Sequence, residues 1–376
     1  MRLKVAVAGL GAIAQTVHLP LLERRSDLFE VVAVCDISPS LTRRVADRYG
    51  VARRHTDVTA MLDGGGFDAL LVLTSGSHGH VVADALRRGH AVLCEKPLAY
   101  TRAEVDRIAA LEDPERPRLM VGYMKQYDPA VQRMAGRLTG VRAVQVTVLH
   151  PGDGSQLAFA RLPPPAGDVP AEVADRLRVR DDELVRAAIG EAGTEARWLY
   201  MTILNSICHD LSLLRLLAGG PGGVDHAATW PGPGGRSVEL SGPLRTGGRY
   251  AVHWHYLEGY PSYRETVSVH HATGSFEVVF PTPYLLGAAA RLTDVSVQGR
   301  LSFQDVTPSF ERELVAFHEM VTLGEPPLTG VRGALEDVVT AQQAVSRLLA
   351  GHGLPAAGEA RTEVGPPSSP PGSSRR

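Results

Sequence analysis

Lys96 stands behind an apolar run, His90-Ala91-Val92-Leu93-Cys94, inside the stretch Leu93-Cys94-Glu95-Lys96-Pro97-Leu98. The run reads as a buried parallel strand. Thr101-Arg102-Ala103-Glu104 follows with a capping-box signature for a helix. A side chain delivered at the carboxyl end of such a strand lies where open α/β sheets bind ligands. The chain has three lysines (Lys4, Lys96, Lys125) among 39 basic residues, so a Lys kept here suggests a need for a compact ammonium. The competing reading is a solvated strand-end Lys. Further on, Asn205 and His209 are four residues apart on the amphipathic stretch Ile203 to Leu217 and share one helix face. Oxidising a secondary alcohol needs a group that takes the hydroxyl proton, and His titrates near neutrality. A nearby ammonium would stabilise the developing alkoxide. The bland alternative makes His209-Asp210 a structural pair at the core edge.

Such a pair requires a hydride acceptor, and the N-terminus supplies a place for one. Leu3 to Ala8 is a short apolar strand followed by Gly9-Leu10-Gly11-Ala12-Ile13-Ala14, the dinucleotide fingerprint in its G-x-G-x-x-A form. Gly9 permits the tight turn, Gly11 lets backbone N–H groups approach a pyrophosphate, and Ala14 lets the helix pack close on the sheet. The same residues loosely mimic a short signal peptide but make a better nucleotide-binding unit. A second strand, Glu30 to Cys35, ends in Asp36, 27 residues after Gly9, roughly where the fold grips the adenosine ribose. Asp36 argues for NAD, while Arg43 and Arg44 keep NADP open. The strand Asp68 to Leu73 closes with Thr74-Ser75-Gly76-Ser77-His78. His78 either faces the nicotinamide or, the preferred reading, caps the helix running to Arg88. The expected cofactor set is Gly9, Gly11, Ala12, Ile13, Asp36, Thr74, His78, Glu95 and Lys96.

The elements that position these residues alternate strand and helix through residue 122, the mark of a doubly wound parallel sheet. Ser38-Pro39 opens one helix, which ends near Gly50. The strand Arg118 to Val121 closes the first domain, residues 1–122. Residues 123–355 form a second α/β domain. It has a long strand at Val141 to Leu149 and strands at Tyr250 to Leu257, Tyr263 to His270 and Ser275 to Phe280, expected as a mainly antiparallel sheet with one buried face. Residues 151–196 interrupt it as an inserted excursion, loop-like through Pro163-Pro164-Pro165 and helical from Ala171 to Ile189, either a lid or an oligomer arm. Helices are expected over Ser309 to Thr322 and Val331 to Leu349, and residues 356–376, rich in Pro, Gly and Ser, as a disordered tail.

A hydrophobic share of 44%, a charged share of 21% and a net charge of −2 fit a globular protein with no electrostatic reason to bind nucleic acid. No apolar run is long enough to span a bilayer. Cys35, Cys94 and Cys208 lack metal-ligand spacing, which suggests reduced thiols, a cytoplasmic setting and no metal site.

The fingerprint, Glu95-Lys96-Pro97, Gly122-Tyr123-Met124-Lys125-Gln126-Tyr127-Asp128-Pro129 and the Asn205-x-x-x-His209 helix together resemble the glucose–fructose oxidoreductase/inositol dehydrogenase/MocA (Gfo/Idh/MocA) family. The run from Ser309-Phe310 through Glu313-Leu314, Phe317, Gly324 and Pro326 to Gly330 is similar to that family's closing helices. The resemblance covers nearly the whole chain except the insertion and the tail. It implies a Rossmann domain followed by an α/β domain whose open sheet supports the substrate site. It also implies an NAD(P)-dependent oxidoreductase of sugars, amino sugars or cyclitols, working as a homodimer or homotetramer. Lys96 and His209 match the family's catalytic Lys and His, Lys125 a basic position looking toward substrate, and His78 a His near the nicotinamide in a loop one residue short. Asn205 departs from the Asp that inositol dehydrogenase-like members carry, so a carboxylate relay is in question. A neutral Asn there leaves His209 expected to titrate near its ordinary value, about 6.5. Two other readings stay open. Transient oxidation could serve elimination, epimerisation or hydrolysis, which predicts tightly kept cofactor without net turnover. A nucleotide-sensing regulator without catalysis is disfavoured by the retention of both Lys96 and His209.

Overall fold

The apolar runs of the first third pair side by side in one parallel sheet. In the computed structural model, which describes residues 1–362, these are β1 (Leu3–Ala8), β2 (Phe29–Cys35), β3 (Arg53–His55), β4 (Ala69–Val72), β5 (Ala91–Glu95) and β6 (Leu119–Gly122). Their order, β3-β2-β1-β4-β5-β6, reverses between β1 and β4, so a crevice opens at the carboxyl ends of those two strands. All four residues of β4 are buried because helices cover both faces, and this is why the strand reads as an unbroken apolar run. Ser38 caps the helix Pro39–Tyr49 through a hydrogen bond from Leu41 N (3.2 Å), and Gly50 ends it at φ +67°, as expected.

The second sheet contains β7 (Ala143–His150), β8 (His226–Gly232), β9 (Gly235–Pro243), β10 (Arg249–Tyr256), β11 (Arg264–His271), β12 (Gly274–Phe280), β13 (Arg291–Ser296) and β14 (Gly299–Gln304). Its order is β14-β13-β12-β11-β7-β10-β9-β8, antiparallel except where β7 runs parallel to β10. Tyr250, Val252 and Trp254 of β10 are buried, whereas Ala251, His253 and His255 are half-exposed on the opposite face. Sequence reasoning misses β3, β8, β9, β13 and β14. The first has three residues, Pro231 and Gly235 interrupt the β8–β9 hairpin, and β14 buries almost nothing. In β13 burial alternates, but one of the buried positions is the charged Asp294, so none of the five carries a clean period-two apolar signal.

The inserted segment forms the helix Ala171–Ile189 at its expected bounds, preceded by a short helix, Asp153–Leu157, within the stretch expected to be loop. The helix bearing His209 starts earlier than expected. Gly193–Thr202 runs through a π-turn at Ile203–Ile207 into Cys208–Ala218.

Part of the stretch from residue 356 expected as a disordered tail is ordered. Gly358–Arg361 is a turn with Ala360 buried, and residues 363–376 lie outside those described. The Glu359 carboxylate accepts hydrogen bonds from Arg102 N (2.7 Å) and Ala103 N (3.1 Å), while Thr101 Oγ1 accepts from Glu104 N (3.1 Å). Three N–H groups at the start of the helix Arg102–Ala109 are thus satisfied, two of them by an anion from the far end of the chain. The capping box is only half formed, since the Glu104 carboxylate takes Tyr100 N rather than the N–H of Thr101. Glu359→Ala should lower the free energy of unfolding by about 1–2 kcal/mol, read as a lower urea midpoint at unchanged slope.

Candidate active site

The fingerprint turn is set by packing against a neighbouring strand. Gly9 has φ +91°, and a Cβ there would sit 2.5 Å from the backbone of Leu73 and Thr74 at the end of β4. Only glycine fits this crossing. A Cβ on Gly11 would meet nothing within 4 Å, so that side of the turn is open to a ligand. It faces a cavity of about 310 Å³ whose walls include Gly11, Ala12, Thr74, Lys96, Asn205 and His209. A cradle of glycine backbone at a helix start, beside a roomy crevice at the switch point, fits a dinucleotide pyrophosphate. Asp36 follows β2, and its oxygens accept hydrogen bonds from Leu10 N (2.8 Å) and Ser38 N (2.9 Å). Each oxygen retains a lone pair for a ribose hydroxyl.

Lys96 is fixed from three sides. Its ammonium donates to the carbonyl of Asn205 (2.5 Å), joining the end of β5 to the π-turn before His209. Glu95, one residue earlier, pairs with buried His18 (Oε1 to Nε2, 2.9 Å), and its other oxygen accepts the Lys96 N–H (3.3 Å). Burial pushes the Glu95 carboxyl up, but His18 and Lys96 outweigh it and hold the group below its ordinary value. After the cis Lys96–Pro97 bond, the Pro97 carbonyl faces His78 Nδ1 (2.7 Å), while His78 Nε2 faces the Thr74 carbonyl (2.6 Å). His78 takes the N-cap position of the helix Gly79–Arg87, as the preferred reading has it, but its side chain makes no cap hydrogen bond. It borders the cavity with its ring set between two carbonyls, one from the Lys96 loop and one from the end of β4. Burial takes its pKa below the ordinary value against the pull of both carbonyls, so the neutral ring donates to only one of them.

His209 reaches the same cavity. Burial first, then the charges of Lys96 and Lys125, hold its pKa well below the ordinary value. This corrects the expectation of an unperturbed imidazole, because the surroundings of the ring outweigh the identity of residue 205. The exposed Asn205 side chain donates to the Met201 carbonyl (2.9 Å) and borders the cavity.

Lys125 is placed differently from the expectation. It is buried behind His209, bonded to Glu265 of β11, and lies outside the walls of the Lys96–His209 cavity. Burial opposes its charge, but Glu265 outweighs this and raises the Lys125 pKa. Asp210, also buried, is pushed well above the carboxylate range by burial and by Glu265, so it keeps a proton. Tyr263 donates to the same Glu265 oxygen (2.5 Å). Sequence reasoning overlooks His18 and Tyr284, which borders the cavity. His18, nine residues after Gly9, had a signal in being a titratable group in the fingerprint helix. Tyr284 lies in an irregular segment and had none. Among the described residues no group of three or more His, Cys, Asp or Glu is arranged to hold a metal, and no helix is long and apolar enough to cross a membrane.

Residues 3–123 match the family described as oxidoreductase family, NAD-binding Rossmann fold. An inositol 2-dehydrogenase from Burkholderia ambifaria is 32% identical over 222 residues, covering 58% of this chain and 55% of the relative. The chain spans about half the length of the curated relatives it matches. An oxidoreductase from Agrobacterium radiobacter, solved with NAD+, L-tartaric acid and magnesium, superposes with a TM-score of 0.67 at 18% identity over 93% of this chain and 97% of that one. A 3-ketoreductase from Actinomadura kijaniata, solved with NADP, gives a TM-score of 0.64 at 19% identity over 93% and 98% of the two chains. At these identities the likeness of the two structures is one of fold, and it extends through the second sheet. The fingerprint, the strand order and the match over residues 3–123 together make the first domain an NAD-binding Rossmann domain similar to that of the Gfo/Idh/MocA oxidoreductases.

Proposed function

We propose that the chain is an NAD-linked dehydrogenase or ketoreductase acting on a secondary alcohol or ketone of a sugar, amino sugar or cyclitol. The observation that carries this reading is that Lys96 and His209 border the same cavity as the fingerprint residues Gly11 and Ala12. The inositol 2-dehydrogenase activity named for the Burkholderia ambifaria relative supports the substrate class. Bound NAD supplies the hydride acceptor. His209, kept neutral by its surroundings, takes the hydroxyl proton. The Lys96 ammonium, held by the Asn205 carbonyl through one N–H, has two more to offer the developing alkoxide. Asp36 accepts from the adenosine ribose and repels a 2′-phosphate, which makes NAD the preferred cofactor. Lys125 acts from behind the cavity through its charge, holding His209 in the neutral form.

Lys96→Ala and His209→Ala should each lower turnover by at least about two orders of magnitude. NADH binding, followed by fluorescence titration, should survive in both. A panel of cyclitols, sugars and amino sugars offered with NAD and NADP identifies the substrate. Near wild-type turnover in either variant would move the chemistry to other residues.

The pH dependence follows from the depressed pKa of His209. A base works when deprotonated, so oxidation should stay active below pH of about 6.5 and fail only as pH drops through the lowered value. Asn205→Asp adds a negative charge near the ring, raises its pKa and should move the acid limb of kcat/KM to higher pH. If Asn205 only holds a substrate hydroxyl, the substitution changes KM and leaves the limb in place. Profiles of both proteins separate the two roles.

A further inference from the structure

The inserted segment touches the nucleotide-binding edge at two places. Near β4, its helix sends Arg180 to the Ser77 carbonyl (2.9 Å), and Asp181 accepts from Ser77 N (3.3 Å). The Asp181 carboxylate lies so close over Gly76 that a Cβ there would sit 2.3 Å from it. At the other end, the loop preceding that helix carries Asp168 to the start of the helix Pro39–Tyr49. There one carboxylate oxygen accepts from Ser38 Oγ (2.5 Å) and the other from Ser40 N (2.7 Å). Asp36 takes the N–H of the same Ser38 (2.9 Å), so a carboxylate just after β2 and one from the insertion both engage this one residue.

The chemistry of this corner bears on cofactor choice. An acidic residue at the end of the second strand serves the ribose 2′-hydroxyl of NAD, and NADP carries a phosphate on that same oxygen. A phosphate entering here would look for hydroxyl and backbone N–H donors just past Asp36, and for the exposed guanidinium groups of Arg43 and Arg44. Of the donors there, Asp168 already holds Ser38 Oγ and Ser40 N, and the Ser40 hydroxyl also lies against its carboxylate. Resting on the NAD-linked reading above, we propose that Asp168 is a specificity-determining residue. The inserted segment lays its carboxylate over the donors a 2′-phosphate would need, so NADP meets both an occupied site and a like charge while NAD is admitted. The hydrogen bonds from Ser38 and Ser40 pull the Asp168 carboxyl down to about 2, so the charge persists at any working pH. The insertion that looks from sequence like a lid or an arm becomes, on this account, part of the adenosine site.

The test uses the full chain and needs no turnover. NADH and NADPH are titrated by fluorescence at fixed ionic strength into wild type, Asp168→Ala and Asp168→Asn, and the ratio of the two dissociation constants is read. Wild type should bind NADH the more tightly. Asp168→Ala should narrow the gap by about tenfold or more, as expected for removing a juxtaposed like charge, with NADH affinity held within about threefold. Asp168→Asn, which keeps an acceptor for Ser40 N but loses the charge, should narrow it in the same direction. An unchanged ratio in both variants, whether NADH affinity is kept or both affinities fall together, makes Asp168 a structural pin and overturns the proposal while leaving the oxidoreductase reading intact. Wild-type protein that binds neither dinucleotide overturns that reading, and this proposal with it.

Discussion

The contact on which the site depends is the hydrogen bond from the Lys96 ammonium to the carbonyl of Asn205. It joins the last residues of a parallel strand in the first sheet to a helix that packs under the second. The strand end is itself held by Glu95 on buried His18 and by Pro97 against His78. With the ammonium held in this way, its charge bears on His209, and together with burial it keeps that ring neutral. On the proposed mechanism, this leaves His209 as the neutral base that the proton transfer requires.

Behind this pair lies a second buried arrangement, Lys125 with Glu265, Asp210 and Tyr263. One ammonium is shared by two buried acidic groups, and the balance is met by leaving a proton on Asp210. Burying charge in this way is costly as a source of stability. Its effect here is to extend the positive field on His209 from a second direction. The Asn at position 205 lies within that field. A carboxylate there would draw a proton onto His209, whereas a neutral amide leaves the ring to the influence of the two lysines.

The inserted segment packs against the loops at the carboxyl edge of the first sheet. Its helix buries Val185, Ala188 and Ile189 on one side and reaches the β4 loop through Arg180 and Asp181. The same helix lies against the Gly358–Arg361 turn, whose Glu359 caps the helix after Lys96. Segments far apart in sequence thus close around one short loop. The order of that loop follows from the packing of all of them.

Much of the fold was determined by the sequence itself, because its signals act between near neighbours. The fingerprint at Gly9 and Gly11, the Ser38-Pro39 cap, the apolar strand before Glu95 and the 19-residue inserted helix all stand where local pattern puts them. Strands that bury little, such as β14, or that are broken by Pro and Gly, such as β8, leave no such pattern. The roles of individual polar residues were decided only by the tertiary structure. His18 meets Glu95 77 residues away, Lys96 meets Asn205 across 109, Ser38 meets Asp168 across 130 and Lys125 meets Glu265 across 140. His78 stands at a helix N-cap but turns its ring between two carbonyls and donates to one of them, and His209 loses its ordinary pKa to burial and two lysines. Hydrogen-bond partners and desolvation are properties of what the folded chain brings together, and neither periodicity nor spacing along the chain carries them.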